Sequence, residues 1–82
     1  MHITKHAFKR IKQRVGLPKR AHLRHVQRVI QKGSLFSHDT YREFQMLYMG
    51  FLYIFKLTPE LNPILVTTMQ ATSNDMLKQV GR

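Results

Sequence analysis

The chain contains no cysteine. Disulfides, thiolate zinc sites and a cysteine nucleophile are therefore excluded, and packing alone must hold the fold together. Nowhere do about 18 uncharged apolar residues follow one another, so no membrane span is expected. The first fourteen residues carry Lys5, Lys9, Arg10, Lys12 and Arg14 where a signal peptide would have its apolar stretch, which points to a cytoplasmic location. No Gly-rich phosphate loop, serine triad or pair of carboxylates can be assembled from these residues. At 82 residues, 43 % of them hydrophobic, the chain suffices for one domain, residues 1–82, with one modest core.

The most informative absence is that of acid from the leading third. Lys5, Lys9, Arg10, Lys12, Arg14, Lys19, Arg20, Arg24, Arg28 and Lys32 precede Gly33 with no carboxylate among them. After Gly33, Arg42, Lys56, Lys78 and Arg82 balance Asp39, Glu43, Glu60 and Asp75, so the net charge of +10 belongs to one segment. A field so concentrated attracts polyanions and speeds association with them, and nucleic acid is the first partner it implies. A solvated basic face, or a surface for an acidic protein, is the plainer alternative.

Thr4 is a good N-cap, and no breaker follows before Gly16, so a first helix is expected over about 4–15. On it Ala7, Phe8, Ile11 and Val15 share one arc, Lys5, Lys9 and Lys12 face away, and His6, Arg10 and Arg14 form a stripe at the rim. Gly16, Leu17 and Pro18 make a tight link into a second helix over about 18–32, ended by Gly33. There His22, Leu23, Val26, Val29 and Ile30 share a face, and Arg20, Arg24, Arg28 and Lys32 line the opposite one at four-residue spacing. Beyond Gly33 the pattern turns to β-branched and aromatic residues, giving strands over about 34–37, 41–48, 51–57 and 64–69. His38, Asp39 and Thr40 read as a turn, Met49 and Gly50 as a hairpin turn, and residues 75–80 as a loose terminal turn. The fold class is α+β, with two N-terminal helices packed on one face of a four-stranded antiparallel sheet. In the third strand Phe51, Tyr53, Phe55 and Leu57 alternate with Leu52, Ile54 and Lys56, which leaves one sheet face toward the helices.

The histidines divide by their company. His2 reads as part of a frayed end, and His38 as a turn residue. His22 reads as a hydrogen-bonded core histidine. His22 and His25 are three apart, but their cationic surroundings disfavour a metal ion. His6 stands beside Arg10 and Arg14, which offer forked donors to phosphate while the imidazole can exchange a proton near neutral pH. RNA cleavage by internal transesterification needs such a set: a base for the 2′-hydroxyl, cations for the phosphorane charge and an acid for the leaving 5′ oxygen. Alternatively, His6 and Arg14 merely position the helix. Tyr48, Tyr53 and Thr68 are the polar tips expected near His6, and Tyr41, Tyr48, Phe51, Tyr53 and Phe55 could stack on bases if exposed.

The opening Ile3-Thr4-Lys5-His6-Ala7, then Arg10-Ile11-Lys12 and Arg14-Val15-Gly16-Leu17-Pro18-Lys19, resembles a group of small phage and prophage proteins. Phe51-Leu52-Tyr53-Ile54-Phe55 and Leu65-Val66-Thr67-Thr68 fit the strands of that group. Its helix-helix-sheet order is similar to the RelE-like fold of bacterial toxin ribonucleases, including the RelE and BrnT toxins of toxin-antitoxin pairs. The resemblance covers about residues 3–69 and implies RNA binding or cleavage in a bacterial host.

The expectation is thus an RNA-binding protein of RelE-like fold, with metal-independent endoribonuclease activity as its enzymatic form. His6, Arg10, Arg14 and Tyr53 are the catalytic candidates, and Lys5, Lys9, Lys12, Lys19, Arg20, Arg24, Arg28 and Lys32 the backbone-binding ones. No metal, cofactor or membrane is expected; RNA is favoured over DNA, and an acidic host protein or an antitoxin is a further candidate partner. A toxin's catalytic tail has no counterpart in residues 70–82. The alternative is therefore a noncatalytic phage protein that binds a host protein or nucleic acid through its basic helices.

Overall fold

Thr4 does two jobs that settle where the first helix starts and where it lies. Its hydroxyl accepts from the Ala7 amide at 3.1 Å, capping the helix, and donates to the Val66 carbonyl at 3.2 Å, tying that end to the last strand. In a computed structural model that describes residues 1–38 and 42–72, the elements run β1 (His2–Ile3), α1 (Lys5–Arg10), a π-turn (Ile11–Val15), a 3₁₀ turn (Lys19–Ala21), α2 (His22–Lys32), β2 (Ser34–His38), β3 (Glu43–Tyr48), β4 (Phe51–Leu57) and β5 (Pro63–Gln70).

The architecture is α+β, but the sheet is five-stranded and mixed, ordered β1-β5-β4-β3-β2. This corrects the expected four antiparallel strands. His2 and Ile3 pair in parallel with Ile64 and Leu65, so His2 is not a frayed end. Two residues are too few to show a period in sequence; burial of Ile3 in the core and the Thr4 amide's bond to the Leu65 carbonyl hold the strand in place. The other pairings are antiparallel.

Both expected helices form, with altered ends. The first closes in a π-turn, whose Gly16 amide donates to the Ile11 carbonyl at 3.0 Å with Gly16 at φ 82°. The second opens one residue late as a 3₁₀ turn, with Pro18 extended before it. α2 ends where Gly33 turns extended, at φ −70° and ψ 168°, and there is no room for a side chain there: a Cβ would come within 2.5 Å of the Val29 carbonyl oxygen and 3.1 Å of that of Leu47.

In the sheet, β2 extends through His38, which is therefore a strand residue; β3 begins only at Glu43, and β5 covers 63–70. The expected turn at Asp39 and Thr40, Tyr41 at the head of the second strand, and the terminal turn at 75–80 lie outside the described residues. Met49 and Gly50 take φ 53° and 85°, the pair of positive values that a tight two-residue hairpin between right-twisted strands favours.

The core lies between helices and sheet: Ile3, Ala7, Ile11, Val26, Val29, Met46, Tyr53, Phe55 and Leu65, with Phe8, Val15, Leu17, Tyr48 and Phe51 at its margin. The alternation along β4 places Tyr53 and Phe55 here, as expected. Leu23 departs from its expected place: it sits at the edge of the apolar arc of α2 and is 49 % exposed. No helix among the described residues is long and apolar enough to cross a membrane.

Candidate nucleic-acid interface

The periodicity of α2 and of the 3₁₀ turn that leads into it separates three kinds of side chain. His22, Val26 and Val29 are buried against the sheet, Arg20, Arg24, Arg28 and Lys32 are exposed, and His25 falls between the two sets, half-buried. Ala21 stands one turn before His25 and contributes only a methyl group, and the Gly16-Leu17-Pro18 link brings Leu17 alongside. A cleft of ≈ 350 Å³ results, lined by Leu17, Arg20, Ala21, Arg24, His25 and Arg28. Its lining among the described residues holds three guanidinium groups and no carboxylate. Like charges four residues apart on a helix cost about 0.2–0.5 kcal/mol per pair, a cost that an anion in the cleft would relieve.

Beneath this cleft His25 meets the sheet. Its Nε2 lies 2.7 Å from the hydroxyl oxygen of Tyr53, which β4 holds fully buried, and its ring presents an edge to Tyr48 at 5.9 Å. Burial first, then Arg28 and His22, depresses the pKa of His25 below its ordinary 6.5, so the ring is neutral at pH 7. Burial, with Tyr48 adding to it, raises Tyr53 far above the ordinary phenol range, so its hydroxyl keeps its proton. The cleft therefore combines fixed cations, forked donors suited to phosphate oxygens, and a neutral imidazole able to take a proton.

A second hollow, of ≈ 470 Å³, opens on the other flank of α2 at its junction with α1, lined by Lys5, Phe8, Lys9, Lys12, Lys19 and His22. Phe8 stacks on His22 with ring centroids 5.1 Å apart and planes at 27°, and Lys19 Nζ stands 5.5 Å from the Phe8 centroid. His22 Nε2 donates to the Leu17 carbonyl at 2.8 Å; its buried Nδ1 has no hydrogen-bond partner.

The candidates read from sequence are thus sorted into three places. Of the expected stripe, Arg10 and His6 meet: Arg10 Nε donates to His6 Nε2 at 3.5 Å and Arg10 Nη1 to Gln13 Oε1 at 3.3 Å, whereas Arg14, in the π-turn, donates from Nη1 to the Thr68 carbonyl at 3.4 Å. Tyr53, expected beside His6, instead bonds His25, and the Thr68 hydroxyl donates to the Leu52 carbonyl. Tyr48 likewise packs by His25. Arg20, Arg24 and Arg28 share the cleft, Lys5, Lys9, Lys12 and Lys19 share the hollow, and Lys32 is exposed one turn beyond Arg28.

His25 is the residue that reading the sequence for function passed over. Its signal was present in its wheel position, bordering the apolar arc on the Arg28 side. Among the described residues no group of three or more histidine, aspartate or glutamate side chains is placed to hold a metal ion. Comparison with family models, curated proteins and solved structures found no match to this chain.

Proposed function

We propose that this protein binds RNA by its phosphate backbone along the exposed face of α2. The observation that carries this reading is the cleft of Arg20, Arg24 and Arg28, whose lining among the described residues contains no carboxylate to neutralise it. Arginine forks pair two N–H groups with two phosphate oxygens, and these charge-assisted bonds are about twice as strong as neutral ones. RNA is favoured over duplex DNA because the helix offers only Gln27 and Gln31 as amides for reading base edges in a major groove. The resemblance to RelE-like ribonucleases supports the same class of partner.

Metal-independent cleavage is the enzymatic form of this reading, and two histidines are candidates for the proton transfer. His6 has Arg10 beside it; His25 has Tyr53 and the arginine cleft. Labelled RNA incubated in EDTA with wild type, His6→Ala and His25→Ala separates them. Cleavage lost in one variant alone assigns the base, and an intact RNA with all three proteins leaves a noncatalytic binder.

Binding itself is tested by salt. Affinity should fall steeply as salt rises, and Arg20→Ala, Arg24→Ala and Arg28→Ala should each shallow the log–log slope by about 0.7 on a single strand. A complex whose affinity does not change with salt overturns the proposal.

A further inference from the structure

We infer that the hollow at the α1–α2 junction is the seat of one unpaired nucleotide of that RNA, its base lying on Phe8 and its phosphates held by the lysine rim. The inference rests on the RNA-binding reading and adds to it a preference for single strands.

The chemistry of the lining points there. Phe8 is only half-buried although it borders the core, and the stacked His22 beneath fixes the plane of its ring. The part of the Phe8 ring that lines the hollow is a flat apolar floor, where a base can bury a face without sequence-specific contacts. Four lysines surround that floor and, among the described residues, no acid lines it. Ammonium groups on flexible stems suit phosphates whose positions vary, and Lys19, already over the Phe8 ring, can exchange that contact for a phosphate.

The volume, ≈ 470 Å³, falls within the range of about 300–1,000 Å³ typical of small-ligand sites. A base paired and stacked inside a duplex cannot enter such a hollow, whereas an unpaired one can be splayed into it.

The test compares wild type with Phe8→Leu on a short single-stranded RNA carrying 2-aminopurine and on a duplex RNA of equal charge. Expected are quenching of 2-aminopurine fluorescence by wild type, loss of that quenching in Phe8→Leu, and a roughly tenfold weaker single-strand affinity with the duplex affinity unchanged. NOEs between the Phe8 ring and base protons in the wild-type complex give the same answer should the variant fail to fold. Equal single-strand affinity of a folded Phe8→Leu, or no such NOEs at saturation, overturns the inference and leaves backbone binding standing. Poly-glutamate binding as tightly as RNA, with an equal loss in the variant, shows a charge site without a base and also overturns it. If wild type binds no RNA of either kind, the underlying reading falls and this one with it.

Discussion

His22 and His25 stand three residues apart on α2 and meet different surroundings. The ring of His22 is 1 % exposed, stacked on Phe8 and anchored to the Leu17 carbonyl. His25 is half-buried, lines the arginine cleft and meets a hydroxyl. A carbonyl only accepts, so the partner of His22 fixes which nitrogen carries the proton. A hydroxyl both gives and accepts, so the partner of His25 fixes no such choice and lets the ring exchange protons while staying in place. A net angle of about 60° around the helix axis, from within the apolar arc to its border with the arginines, separates a structural histidine from a chemically available one.

This contrast breaks most visibly at His22. Replacing it with alanine removes a buried ring, leaves the Leu17 carbonyl without its donor and strips Phe8 of its stacking surface, so His22→Ala should destabilise the protein by about 3 kcal/mol. Urea denaturation measures it. A loss below about 1 kcal/mol, similar to that of an exposed position, would mean that His22 is not a packing element and that the two histidines are alike.

A smaller effect is expected on the other side of the comparison. Tyr53→Phe removes one hydroxyl and leaves the ring in the core, so the cost should be about 1 kcal/mol, near the net value of a single hydrogen bond. For a domain of this size that lowers the melting temperature by about 4–8 °C. No measurable shift would indicate that water replaces the hydroxyl at His25 without loss.

The sequence exposed whatever is governed by neighbours. Thr4, Gly16, the Met49-Gly50 hairpin and the alternation of Tyr53 and Phe55 along β4 are settled within a few residues by caps, positive φ and the two-residue period. So is the His6-Arg10 contact, one helical turn apart. What stayed hidden depends on partners far along the chain. The two residues of β1 have meaning only against Ile64 and Leu65. His25 has meaning only because β4 carries Tyr53 beneath it, 28 residues later. A helical wheel shows that His25 borders the core; it does not show what the border touches.

The smallest effect, specific to His25, is in pH. His25 is held below 6.5 in the fold by burial, by Arg28 and by His22; Arg20 and Arg24 also line its cleft, and Tyr53 and Tyr48 face it from β4 and β3. In the unfolded chain the ring takes a proton as pH falls through about 6.5. In the folded chain it does so only at lower pH. Between those two values the unfolded state binds more protons, so His25 makes stability fall as pH is lowered from about 6.5 and level off below the folded value. His25→Gln should remove this part of the slope, whereas a variant that leaves His25 in place should keep it. A phosphate in the cleft favours the charged imidazole, so RNA should oppose the loss and bind with proton uptake in the same window. Denaturation midpoints across that range, for wild type and His25→Gln with and without RNA, test both signs. Equal slopes for the two proteins would show that His25 does not exchange its proton in this window, and its reading as the chemically available histidine of α2 would fail.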